Sequence, residues 1–138
     1  MESNEEQLID ALNKHDTDRA LSLIEAGIDV NFVNPNSDWT LMNYAIEHEN
    51  ILVIKNLLDR GYNINLAGKG KYGWPPAHHA VEFAFDSFLQ DEDCLEPETE
   101  ILECLLTYHP DLTMKDASGR TPFDYANHEK LKRLLTVK

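Results

Sequence analysis

The chain repeats itself, and the repetition leaves few folds open to it. The segment Ala20 to Asn31 aligns with Ile54 to Asn65, so that Gly27 and Gly61 stand 34 positions apart, and a third copy runs from Leu102 to Thr113. A second motif recurs at Thr40 to Ala45, at Pro75 to Ala80 and at Thr121 to Ala126. A period of a few tens of residues implies short supersecondary units, none able to bury its apolar face alone, so neighbours must stack to build a continuous core.

Each motif has a local physical reading. Thr before Pro, as at Thr121-Pro122, offers a side-chain oxygen to the free amides of a starting helix, and Pro fits the first helical position, where its missing N–H costs nothing. Gly27 and Gly61 follow amphipathic runs and predict helix stops, where positive φ closes the last turn. Leu8, Ile9, Ala11 and Leu12 predict one apolar stripe, and Ala20, Leu21, Leu23 and Ile24 the next. Asn34 to Ser37, Gly68 to Gly73 and Ala117 to Gly119 predict tight turns between units.

These motifs resemble the Thr-Pro-Leu-His-x-Ala helix start and the Leu-Leu-x-x-Gly-Ala-Asp-Val-Asn helix end of ankyrin repeats, over nearly the whole chain from about Glu6 to Leu135. The resemblance implies an all-α ankyrin-repeat solenoid of helix-turn-helix units with projecting turn tips, forming a single domain over residues 1–138. Its expected repeats cover about 5–34, 35–67 and 68–116, with a C-terminal cap at 117–138. Lys130, Lys132 and Arg133 coat the last helix, where they are expected to complement the negative end of its dipole.

Two departures from the family pattern point to function. From Leu58 to Leu106 is 48 residues, against 34 from Ile24 to Leu58, so about fourteen extra residues are expected between the helices of the third unit, at roughly Phe85 to Glu98. From Glu82 to Glu103 there are nine acidic residues and no Lys or Arg, which makes this region the charge centre. Inserted loops in a repeat array lie along one edge and often bind, so Asp86, Asp91, Glu92 and Asp93 are candidate partner-binding residues. The second departure is the pair Trp39 and Trp74. In ankyrin proteins their place looks onto the concave groove, which is expected also to receive Tyr44, Glu47, His48, His79, Glu82 and Phe83, with His79 exposed. Tyr72, on a turn tip, completes the set. Large aromatics on a binding face supply contact area at small entropy cost.

Composition and motifs exclude much else. Asp and Glu number 25 against 12 Lys and Arg, a formal charge of −13, which repels nucleic acid and anionic membrane and favours a basic partner. The acidic first residues lack the basic start of a signal peptide, and Cys94 and Cys104 are too few for a disulfide framework, so a cytoplasmic monomer is expected. Gly68 to Gly73 matches Gly-x-Gly-x-x-Gly, but no buried strand leads into it and Trp74-Pro75-Pro76 separates it from the next helix, so nucleotide binding is not expected. His78, the motif His, is expected to hydrogen-bond between neighbouring turns. The His and Cys residues lack the paired spacing of a zinc site, and no nucleophile elbow or zincin helix is present, so neither metal, cofactor nor enzymatic activity is expected.

The resemblance therefore implies a protein-binding module. Small acidic ankyrin proteins of this shape look like bacterial immunity proteins that neutralise a toxin, often a basic nuclease. The alternative is a scaffold or adaptor that binds without inhibiting.

Overall fold

The computed structural model describes residues 3–69 and 73–136. Among the described residues, seven α-helices span Asn4–Asn13 (α1), Thr17–Ala26 (α2), Leu41–Glu47 (α3), Ile51–Asp59 (α4), Pro76–Gln90 (α5), Glu100–Leu106 (α6) and Glu129–Thr136 (α7), and a 3₁₀ helix covers Pro122–Tyr125. The described residues form no strand, only one antiparallel bridge between Val33 and Thr40 at the base of a hairpin turn.

The helix starts follow from their caps. The side chains of Ser3 and Thr40 accept the backbone N–H three residues on, and Glu6 and Asn43 reach back to the cap N–H, so each pair satisfies two amides that a helix end leaves open. Thr121 and Asp124 do the same for the 3₁₀ helix. Asp16 and Asn50 cap α2 and α4. Gly27 and Gly61 end their helices at φ 110° and 94°, as the sequence predicts.

Successive helices pair: α1 on α2, α3 on α4, α5 on α6, and the 3₁₀ helix on α7. The first members also meet in turn, α1 with α3, α3 with α5 and α5 with the 3₁₀ helix, and α2 meets α4. Leu8, Leu12, Leu41, Ile46, Leu57, Leu102, Leu105 and Leu131 are buried along this series in one continuous core. The recurrent Asp/Asn-x-Asn/Thr triplets explain how the units keep register. Asp29, Asn63 and Asp111 each accept the N–H two residues ahead with Oδ1, at 3.0, 3.0 and 2.9 Å, which folds the local turn. Asn31 and Asn65 instead accept from the next copy, from Asn63 N–H at 3.0 Å and Asp111 N–H at 2.8 Å, which ties the turns together.

The segment Phe85 to Glu98 differs from a simple loop. Its first six residues extend α5 to 15 residues where α3 has 7, and only the remainder departs from the helix. The return path is held down: Pro97 and Thr99 are buried, and Lys130 Nζ donates to Glu96 Oε1 at 3.0 Å and to the Pro97 carbonyl at 3.1 Å. Lys130 lies in the first turn of α7, so its role is to pin this segment rather than to balance the C-terminal dipole.

His78 forms the link that the motif implies. Its Nε2–H donates to the Arg120 carbonyl at 2.8 Å, while its buried Nδ1 has no partner among the described residues. Burial, partly opposed by the Arg120 carbonyl, holds the imidazole below its ordinary value of 6.5. The unfolded chain thus binds this proton more tightly than the folded chain, so the contribution of His78 is full above its unfolded value and is lost as pH falls through its folded one. Urea midpoints are expected to drop as pH falls below about 6.5, before most carboxylates titrate, and to drop less in His78→Gln. An identical pH slope in that variant removes His78 from the acid sensitivity.

Candidate binding groove

The second and third units meet over a buried cluster of polar and aromatic groups. Asn43 Oδ1 accepts from Thr40 N–H at 3.0 Å, which fixes the amide so that Nδ2 donates to the Trp74 carbonyl at 3.0 Å and to His79 Nδ1 at 2.9 Å. With Nδ1 accepting, the proton of the His79 ring sits on Nε2 and is donated to Glu47 Oε1 at 3.0 Å. The hydrogen bond from His79 holds the Glu47 carboxyl below its usual value, against the cost of partial burial. Trp39 and Trp74, both half-buried, flank this ring at 5.5 and 5.2 Å between centroids.

His79 corrects the expectation of an exposed residue: it is completely buried. It occupies the motif place held by Tyr44 and Tyr125 in the neighbouring units, but those phenols turn outward to their own hairpins. Tyr44 OH meets Ser37 Oγ at 2.6 Å and Asn34 Nδ2 at 3.1 Å, and Tyr125 OH donates to Asp116. The imidazole turns inward and joins the two Trp residues into one surface, with Trp39 also packed edge-on against Tyr44 at 5.2 Å. The accessible part of this surface is thus the two half-buried indoles and Glu47, with its side chain 45% accessible, while His79 sets their positions from beneath.

Further along α5, Glu82 and Asp86 line a hollow of about 340 Å³ with Trp74, Phe85, Tyr125 and Arg120. Burial foremost, then the charges of Asp86 and Glu47, raises Glu82 above the ordinary carboxylate value. Arg120 lies 5.7 Å over the Tyr125 ring. Burial and the two neighbouring carboxylates thus act together against the Glu82 charge at this end of the groove.

The remaining candidates lie elsewhere. His48 caps the far end of α3, pairs with Asn13 Oδ1 at 2.9 Å and meets His15 edge-on, which places it at the turn between helices rather than beside the Trp pair. Phe83 and Asp91 line a separate pocket with the α3–α4 turn. Glu92 and Asp93 are exposed beyond α5. Tyr72 lies outside the described residues. Sequence reasoning missed Asn43, Phe85, Arg120 and Tyr125. Only Asn43 carried a signal, a strong hydrogen-bonding side chain at the motif position that His78 fills in the third unit. No group of three or more His, Cys, Asp or Glu suited to a metal ion exists among the described residues, and no helix among them is long and apolar enough to cross a membrane.

The hairpin turn, helix pair and following turn of the second unit decide what the chain is similar to. Residues 37–66 match the ankyrin repeat family. Ankyrin repeats are generally non-enzymatic modules of protein interaction, and the match covers Trp39, Tyr44 and Glu47 of the groove. None of the curated proteins matches the chain.

Proposed function

We propose that the chain is an ankyrin-repeat solenoid of three repeats and a C-terminal cap, and that it acts as a cytoplasmic, monomeric, non-enzymatic inhibitor that binds and occludes a basic protein. The reading that best accommodates its charge is an immunity protein of the bacterial type, set against a basic toxin such as a nuclease domain. The observation that carries this reading is that the aromatic groove runs into acidic side chains on α5, with further carboxylates off the groove in the segment after that helix. Trp39, Trp74 and Glu47 lead into Glu82 and Asp86 on α5, and Asp91, Glu92 and Asp93 follow in the exposed segment beyond. Aromatic anchors beside a predominantly acidic strip suit a basic surface, with the indoles supplying affinity and the charge supplying association rate.

The test is association kinetics with the basic protein that the immobilised chain retains from cytosol of its source. The variant Asp91→Ser/Glu92→Ser/Asp93→Ser is expected to slow association about tenfold at low salt and to flatten its salt dependence. Unchanged kinetics in that variant, with binding lost in Trp39→Ala/Trp74→Ala, overturns the inhibitor reading in favour of an adaptor that binds through Trp39, Tyr44 and Trp74.

A further inference from the structure

The extension of α5 does more than add charge. Together with the segment that returns to α6, it closes a pocket of about 360 Å³ against the turn between α3 and α4. Its apolar lining comes from Ile51 of α4, Phe83 and Phe88 from successive turns of α5, and Ile101 of α6. Four carboxylates also line it, Glu49 from the α3–α4 turn, Asp91 from the end of α5, and Glu98 and Glu100 from the start of α6.

No Lys, Arg or His lines this pocket among the described residues. The nearby basic groups lie outside its lining. Lys130 is committed to Glu96 and the Pro97 carbonyl, and Lys55 lines the adjoining hollow with Asp59. His128 packs edge-on against Phe88 at 5.0 Å, without being one of the lining residues. The described residues therefore gather four carboxylates around a partly apolar pocket and line it with no positive charge. That arrangement complements one kind of group, an apolar stem that ends in a delocalised cation. The methylenes of arginine suit Phe83, Phe88 and Ile101, its planar fork can bond two carboxylates at once, and its weak hydration lowers the cost of leaving water. The aromatic walls add attraction for the cation.

We infer that this pocket receives an arginine side chain of the basic partner protein, as a second anchor beside the Trp39–Trp74 groove. The inference rests on the proposed reading of a basic partner, and it is tested first without that partner. N-Butylguanidinium, titrated into the full chain, is expected to give saturable amide shifts at Ile51, Ala84, Ile101 and Leu102, while 1-pentanol gives none. Glu49→Gln/Glu98→Gln, which changes only exposed side chains, is expected to weaken the probe about tenfold, the scale of one lost charge-assisted hydrogen bond. Shifts that fail to saturate, or that spread equally to remote carboxylates such as Asp18 and Glu25, overturn the inference, as does equal binding of n-butylammonium. In complex with the retained basic protein, Ser87→Phe, which fills the pocket from an exposed position, is expected to speed dissociation about tenfold. If the probe binds but Ser87→Phe leaves dissociation unchanged, the pocket does not serve the protein partner and the inference fails, while the acidic-strip test of the proposed function stands apart. If no basic protein is retained at all, the reading of a basic partner fails first.

Discussion

Replacing His79 with Ala is expected to destabilise the fold by about 3 kcal/mol, a large share of the total for a domain of this size. The ring is completely buried between Trp39 and Trp74, so its removal leaves a cavity that two half-exposed indoles must collapse to fill. Asn43 Nδ2 also loses one of its two acceptors, in a place closed to water. Glu47→Gln separates the two contributions. It keeps an acceptor for His79 Nε2–H and leaves the packing intact, so its cost is expected to stay below about 1 kcal/mol. Urea denaturation of both variants checks the difference. The shift in tryptophan fluorescence should follow His79→Ala alone, because only that change frees the indoles. Equal costs in the two variants would place the stabilisation in the Glu47 contact and not in the buried ring.

The same residue shows where the sequence is legible and where it is not. The positions of helix starts and stops are written locally, in Thr40, Asn43, Gly27 and Gly61, because caps act within three or four residues. The Asp/Asn-x-Asn/Thr triplets are equally local, although their second task, bonding the next copy, emerges only when the units stack. His79 is different. Its partners Asn43 and Glu47 lie 36 and 32 positions earlier, and alignment with Tyr44 and Tyr125 points to an outward side chain. Ring size decides otherwise, since an imidazole fits between the two indoles and offers one acceptor and one donor in line with Asn43 and Glu47. The length of α5 was in principle readable. Phe85, Phe88 and Leu89 continue a helical spacing, and no Gly or Asn stands after Ala84 to stop it, but the extra length in the repeat alignment drew the whole segment into a loop. The pocket beneath that segment is invisible to sequence, because Glu49, Asp91 and Glu98 come together only through the fold.

Gly68→Ala is expected to cost about 2 kcal/mol or more, through a clash that no side-chain rotation relieves. A Cβ built on Gly68 stands 2.1 Å from the Asp38 carbonyl oxygen, a backbone atom of the preceding hairpin, and the same carbonyl accepts the Lys69 N–H at 2.8 Å. Asp38 cannot yield freely. It is held at φ 63°, and its own N–H donates to the Asn34 carbonyl at 2.7 Å within the turn that carries Trp39. Gly73 is equally constrained, with a Cβ brought to 2.6 Å of the Gly68 carbonyl carbon. Gly68 is thus required by its close approach to the preceding hairpin at Asp38, and Gly73 by its close approach to Gly68 and Lys69, demands that have nothing to do with phosphate. Gly27→Ala serves as the contrast. A Cβ there meets open space, and only the positive φ of 110° penalises it, so its cost is expected near 1 kcal/mol. Because the clash pushes on the Asp38–Trp39 turn, Gly68→Ala should also disturb the tryptophan environment and weaken groove binding, while Gly27→Ala loses stability alone. Near-equal costs, with fluorescence unchanged in both, would show that the two hairpins are not in close contact and that Trp39 is positioned by its own turn.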